Sequence, residues 1–460
     1  MTDAAILGAG PAGLEATLWA ARRGLAVSLL ERGPGPGGLA ASVDVGGVRV
    51  DLGSHRLHPS IDPAIFAELR ELLGDELQLR RRNGRIRLGG RWISFPLRPA
   101  DLALRLPPSF VAGAIRDALL APARSPREDT FGEVLRAGLG PTICERFYFP
   151  YARKLWGLEP WEISGEQARR RVSAGSHGAL LRRLARPCGG APGSVFWYPA
   201  RGYGTLWERL ADACVEAGAE VRYGADVERV ELAADGVRVT CAGGSTLEAG
   251  AVLSTIPLPS LARLTVPAPP AEALEAASAL ELRAMALVYL VVEGDRYTSY
   301  DAHYFPEPET PVTRISEPKN YREGPDPAGR TVLCAEIPCL RGDAVWSAGP
   351  EALRDVALGA LESSGLPRPR LIEVEVRRLA GVYPIYRLGY ERAYERLEAW
   401  ADSEPRLLTF GRFGLFVHDN AHHALAMGRA AAASLGRGGA IDRERWRLAR
   451  TAFAAHVVED

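Results

Sequence analysis

Gly8, Gly10 and Gly13 follow the short apolar run DAAIL, and the helix-periodic stretch that opens on them ends at Gly24. Glycines at that spacing permit a tight turn and a close backbone approach. They also leave the first amides of a helix, with the positive end of its dipole, facing an anion. A second apolar run, LAVSLLE, closes on Glu31, eighteen residues beyond Gly13. Its carboxylate is placed to accept hydrogen bonds from ribose hydroxyls and would repel a 2′-phosphate. Strand, glycine turn, helix and acid in that order predict a dinucleotide site, which nicotinamide and flavin dinucleotides could both use.

His55 and His58 raise a second question. The chain has only eight histidines, and these two stand three apart in DLGSHRLHP, just after the glycine-rich stretch GPGPGGLAAS. They could contact a cofactor, cap a turn or bind a metal. A metal needs further ligands, and His418, His422 and His423 could supply them only through the fold.

The elements that must hold these groups come from a chain of 460 residues, long enough for two or more domains, with equal counts of 56 basic and 56 acidic residues. That balance gives no global field for nucleic acid or another polyanion. Six dispersed cysteines with no C-x-x-C pair read as reduced, buried thiols, and no uncharged apolar stretch is long enough for a membrane span. A cytoplasmic location is the default expectation. VDVGGVRVD predicts a hairpin turning at Gly46-Gly47, and RRRNGRIRLGGRWISFPL predicts turns at Asn83-Gly84 and Gly89-Gly90. The stretch 98–122 reads as an amphipathic helical region broken at Pro107-Pro108, covering a substrate domain or docking on a membrane surface. Ala424 to Leu435 reads as a helix that Gly436 terminates.

The segments E-R-x-x-x-x-G-G, hairpin and D-x-G-x-H resemble the second flavin-binding segment of the superfamily of amine oxidases, protoporphyrinogen oxidases and UDP-galactopyranose mutases. Residues 201–232, 250–258 and 407–432 resemble its later flavin segments, so the likeness spans nearly the whole chain. It implies an α/β fold: a discontinuous Rossmann-type FAD-binding domain (1–75, 200–265 and 400–440), an α+β substrate-binding domain (76–199 and 266–399) and a C-terminal helix (441–460). FAD is the implied cofactor. Gly8, Gly10, Gly13, Glu31, Arg32, Gly37, Gly38, Leu39, His55, Val227, Gly411, Arg412, Asn420 and Met427 are the implied cofactor residues, with Gly428 beside them.

FYFPYARKLWG resembles the Y-x-x-K-x-W-G segment of the mutases, which implies Tyr151, Lys154 and Trp156 as substrate residues. His58, Arg171, Tyr383 and Tyr386 join them, and Lys319 is a candidate for the lysine that amine oxidases hold near the flavin. Where mutases carry a tyrosine and a second acid after the G-R turn, this chain has His418 and His422. That change introduces two groups expected to titrate near neutral pH. With His55, these two are the expected catalytic set.

The resemblance implies an oxidoreductase moving a hydride from a small molecule, a specialised metabolite or sugar derivative, to FAD, with dioxygen or NAD(P)H as redox partner. The alternatives are a mutase-like isomerase of a nucleotide sugar that uses reduced FAD, and a flavin-binding protein without catalysis.

Overall fold

The computed structural model describes residues 2–172 and 194–458. Cys188 lies outside the described residues. The first of two large sheets runs in the order Thr265–Val266, Val227–Leu232, Val237–Cys241, Thr246–Ser254, Thr2–Leu7, Val27–Glu31, Glu220–Tyr223, with Leu407–Thr409 also pairing to Thr246–Ser254. Thr2–Leu7 is parallel to both neighbours, and Ala4 to Leu7 are buried. Burial on both faces explains a continuous apolar run without alternation. Helices Pro11–Arg22, Gly204–Glu216 and Ala421–Ala433 share one core on this sheet. This is the Rossmann-type α/β unit that the glycine spacing predicts.

The second sheet runs Leu371–Pro384, Leu282–Glu293, Arg330–Cys339, Arg314–Ser316, Ala302–Tyr304, Gly84–Leu88, Arg91–Phe95. Helices Phe131–Ile143, Phe149–Trp156 and Gly165–Arg171 build a separate apolar cluster around Phe131, Leu135, Phe149 and Trp156. Two helices that the sequence places with this half, Ala271–Ala279 and Tyr390–Ser403, instead bury Ala273, Ala277, Leu397 and Trp400 in the core backing the first sheet.

The hairpins Ser42–Val45/Val48–Asp51 and Gly84–Leu88/Arg91–Phe95 turn at the expected glycine pairs, both members of each with φ between 56° and 77°. Asn83-Gly84 makes no hairpin. The Asn83 amide donates to Asp301 Oδ2 at 3.0 Å and its side chain to Ser299 O at 2.7 Å, which starts the strand Gly84–Leu88 there. The preceding strand Leu77–Arg81 pairs with Val195–Pro199 instead. The last helix of the first unit opens at Ala421, three residues earlier than expected, because Asn420 and His423 form a reciprocal capping box at its start. No helix among the described residues is long and apolar enough to cross a membrane.

Candidate functional site

The cradle forms where the Gly8–Gly13 turn, the Gly37-Gly38 pair and the Gly411 turn converge on the start of helix Pro11–Arg22. Pro11 occupies the first helical position and no side chain caps the helix, so its leading amides remain available. A Cβ on Gly13 would collide with Gly8 O, so only glycine lets the turn pack this tightly. A Cβ on Gly10 would meet nothing within 4 Å, and one on Gly38 would lie 3.4 Å from Gly10 Cα. One on Gly411 would lie 3.1 Å from Ala12 Cβ, which places the C-terminal turn against the same helix end. The Gly37 amide donates to Ala9 O at 2.8 Å.

Glu31 accepts from the Ala9 amide at 2.8 Å and the Gly33 amide at 2.7 Å. Each oxygen keeps a second lone pair for a ligand hydroxyl. Arg32 beside it is exposed. The Ala225 amide donates to Glu31 O at 2.8 Å, and Val227, two residues on, packs against the core that contains Leu30. Leu39 packs on the valine cluster of the hairpin. Uncapped amides, open space over Gly10 and an acceptor at the second strand's end fit a dinucleotide diphosphate and its ribose.

The turn bearing His55 is fixed from every side. Gly53 has φ +98°, a left-handed conformation that its place between Asp51 and Ser54 requires. The Ser54 amide donates to Glu336 Oε1 at 3.0 Å, and its hydroxyl lies 2.6 Å from Tyr321 OH. His55 Nε2 bonds Leu52 O at 3.0 Å, so this nitrogen carries the proton, and the ring stacks on Tyr203 at 5.5 Å. Burial holds its pKa below the usual imidazole value. Under the turn, fully buried Asp51 accepts from Ser42 Oγ at 2.6 Å, Tyr198 OH at 2.5 Å and the Tyr203 amide at 3.0 Å. Glu336 also takes a bidentate grip from Arg314, with both closest contacts at 2.8 Å. Asp51 and Glu336 escape a reading for chemistry; the signal for Asp51 is its place at the head of D-x-G-x-H.

His418 and His422 do not form a pair. His418 lies in an aromatic cage, with its ring 5.2 Å from Trp156, 6.1 Å from Tyr383 and 4.7 Å from Tyr386. The Arg171 guanidinium lies over Trp156 at 5.5 Å and Tyr383 at 4.9 Å, and Arg412 over Tyr383 at 5.6 Å. Arg412 is half-buried: it donates to Asp419 Oδ1 at 2.9 Å and to Val382 O at 3.2 Å, locking the turn to the second sheet.

His422 belongs to a different cluster, 5.8 Å from His58 and 4.0 Å from His423, which stacks on His456 at 4.1 Å. His58 Nδ1 lies 2.7 Å from Ser60 Oγ. The expectation that His418 and His422 titrate near neutrality is corrected. Burial, then Arg171 and Arg412, hold His418 far below its ordinary value; burial, then His58 and His456, bring His422 to about 3. Both are neutral at pH 7. No group of three or more His, Cys, Asp or Glu among the described residues could hold a metal ion.

Other expected residues are engaged in structure. Lys154 donates its ammonium to Phe305 O at 2.5 Å and Val312 O at 3.0 Å, with burial lowering its pKa to about 8. Lys319 does the same to Pro327 O at 2.8 Å and Arg330 O at 3.0 Å. Tyr386 is core rather than wall, its hydroxyl donating to Phe416 O at 3.0 Å. Tyr151 is half-buried and stacks on Phe147 at 6.2 Å. Met427 lies in the large core, and Gly428 lets helix Ala421–Ala433 approach helix Pro11–Arg22, since a Cβ there would collide with Ala12 O.

Comparison with known proteins agrees with this geometry. The sequence model described as "Flavin containing amine oxidoreductase" matches residues 11–317. Phytoene dehydrogenase of Streptomyces griseus is 27% identical over 294 residues, 56% of this chain and 55% of that protein, so the match spans about half the length of this relative. The crystal structure of reduced UDP-galactopyranose mutase superposes with a TM-score of 0.82 at 21% identity, covering 100% of this chain and 98% of that one. Putrescine oxidase bound to putrescine gives 0.67 at 17%, covering 94% of this chain and 98% of that one. At these identities the two structures establish the fold.

Proposed function

The chain belongs to the flavin containing amine oxidoreductase family, whose cofactor is FAD, and from that premise we propose that it oxidises a neutral small-molecule substrate by hydride removal. FAD, when bound, supplies the two-electron acceptor. The chain's own residues would do the rest. The Gly10–Gly13 amides and Glu31 would hold the dinucleotide, and the Gly53–His55 and Gly411–Asn420 turns would orient its reacting end. Trp156, Tyr383 and Arg171 would wall the substrate.

One observation carries this reading. Among the described residues, burial weakens His55 and His418 as bases, the Asp419 carboxylate accepts from Arg412, and Lys154 and Lys319 donate to carbonyls. Such a site suits a donor that arrives already neutral. An amine or an unsaturated metabolite is the class to try.

A second reading has its own support. A guanidinium at 4.9 Å over Tyr383 and 5.5 Å over Trp156 suits a nucleotide sugar, whose diphosphate would take the arginine and whose base would stack on a ring. In that case the enzyme is a mutase-like isomerase. Anaerobic bleaching of the flavin by an amine or unsaturated metabolite, with peroxide formed once air is admitted, supports oxidation. Turnover of a UDP-hexose only after dithionite reduction would replace it with the second reading.

A further inference from the structure

Large apolar side chains are exposed at thirteen described positions, and four of them fall between residues 104 and 120: Leu104 at 80%, Ile115 at 58%, Leu119 at 77% and Leu120 at 52%. Helix Pro108–Leu120 is turned inside out. Its one acid, Asp117, is 1% exposed and accepts from the Thr142 amide at 2.8 Å, while Gly113 packs on Thr142. The opposite face presents Ala112, Ile115, Arg116, Leu119 and Leu120 to solvent. The preceding helix, Pro99–Arg105, repeats the pattern: Asp101 turns inward to the Ser94 amide at 3.1 Å, and Leu104 and Arg105 face out.

Between residues 91 and 120 both acids are held by arginines, Asp101 by Arg105 at 3.3 Å and Asp117 by Arg116 and Arg124 at 3.2 Å each, and Arg91, Arg98, Arg105 and Arg116 all reach solvent, which leaves the stretch with a surplus of positive charge. The hairpin tip carrying Arg91 adjoins the helix junction, since a Cβ on Gly89 would lie 3.5 Å from Pro107 Cδ. Apolar side chains interleaved with arginines, with a surplus of positive charge, are the composition of a surface that enters the headgroup layer of an anionic leaflet. A two-fold contact with a second copy suits the face poorly, because it would gather the exposed arginines of both copies into one interface.

We propose that the outer face of helices Pro99–Arg105 and Pro108–Leu120 docks the protein on anionic lipid, with Leu104, Ile115, Leu119 and Leu120 inserted and the arginines on headgroups. The insertion is shallow and spans nothing. It brings the substrate half of the molecule to the membrane surface, and it does not depend on which flavin chemistry the enzyme performs.

The test is co-sedimentation of the flavin-loaded full chain with vesicles of phosphatidylcholine alone or mixed with phosphatidylglycerol. Binding is expected only to the mixed vesicles. It should weaken about thirtyfold in Arg105→Gln/Arg116→Gln, from roughly fivefold per arginine, and disappear in Ile115→Glu/Leu119→Glu. Both variants change exposed side chains, and an unaltered flavin spectrum certifies their fold. Failure of the parent to bind either vesicle, or binding that survives both variants, overturns the proposal. So does sedimentation velocity showing a dimer that Ile115→Glu/Leu119→Glu dissolves, which would assign the face to a second copy.

Discussion

Asp51 shows what a single buried carboxylate does for the site. Three donors from the hairpin, from Val195–Pro199 and from the turn before Gly204–Glu216 converge on it. Asp51→Ala strands those donors in the interior and should cost about 3 to 5 kcal/mol of stability. The urea midpoint measures it, and Asp51→Asn, which keeps one acceptor, should lose less. At this scale the sequence is partly legible. Spacing exposes Gly8, Gly10, Gly13 and Glu31 because their roles are backbone roles fixed by local geometry. It cannot expose the separation of His418 from His422, four residues apart: one faces a cage built by Trp156 and Tyr383, the other a cluster completed by His456. Nor can it show that two carbonyls engage Lys154, since both belong to residues more than a hundred and fifty positions away.

Elements are positioned by close approach. Helices Pro11–Arg22 and Ala421–Ala433 touch through Gly428 and are pinned by Arg429, which donates to Glu15 at 2.8 Å from Nε and also pairs with Glu68. Gly428→Val should push the helices apart at a cost of about 1 to 3 kcal/mol. Because the first helix bears the cradle and the second follows the Arg412 turn, the same variant should retain less flavin. Absorbance per mole of purified protein reads this out, and full retention would mean the two turns tolerate the shift. Hairpins at Gly46-Gly47 and Gly89-Gly90 are legible because paired glycines with positive φ demand that turn. Asn83-Gly84 misleads because a distant carboxylate, Asp301, captures the turn amide and converts the site into a strand start.

Across the whole molecule, buried histidines set the response to acid. Burial and mutual repulsion bring His422 to about 3 and His423 to about 2; burial, then Arg170, brings His456 to about 4. Their unfolded values lie near 6.5. Folded values below unfolded ones mean that protons are taken up on unfolding, so stability is full above about pH 6.5 and falls progressively below it. The urea midpoint should therefore drop between pH 7 and pH 5. His423→Gln keeps a side chain able to complete the capping box with Asn420 and should flatten that drop.

The central claim is that an organic substrate, rather than a nicotinamide, reduces the bound flavin. Anaerobic mixing of the purified yellow protein with NADH or NADPH, followed by visible absorption, tests it most directly. The yellow colour should persist until an amine or unsaturated metabolite is added. Rapid bleaching by the nicotinamide alone would contradict the account and point to chemistry that begins from reduced flavin.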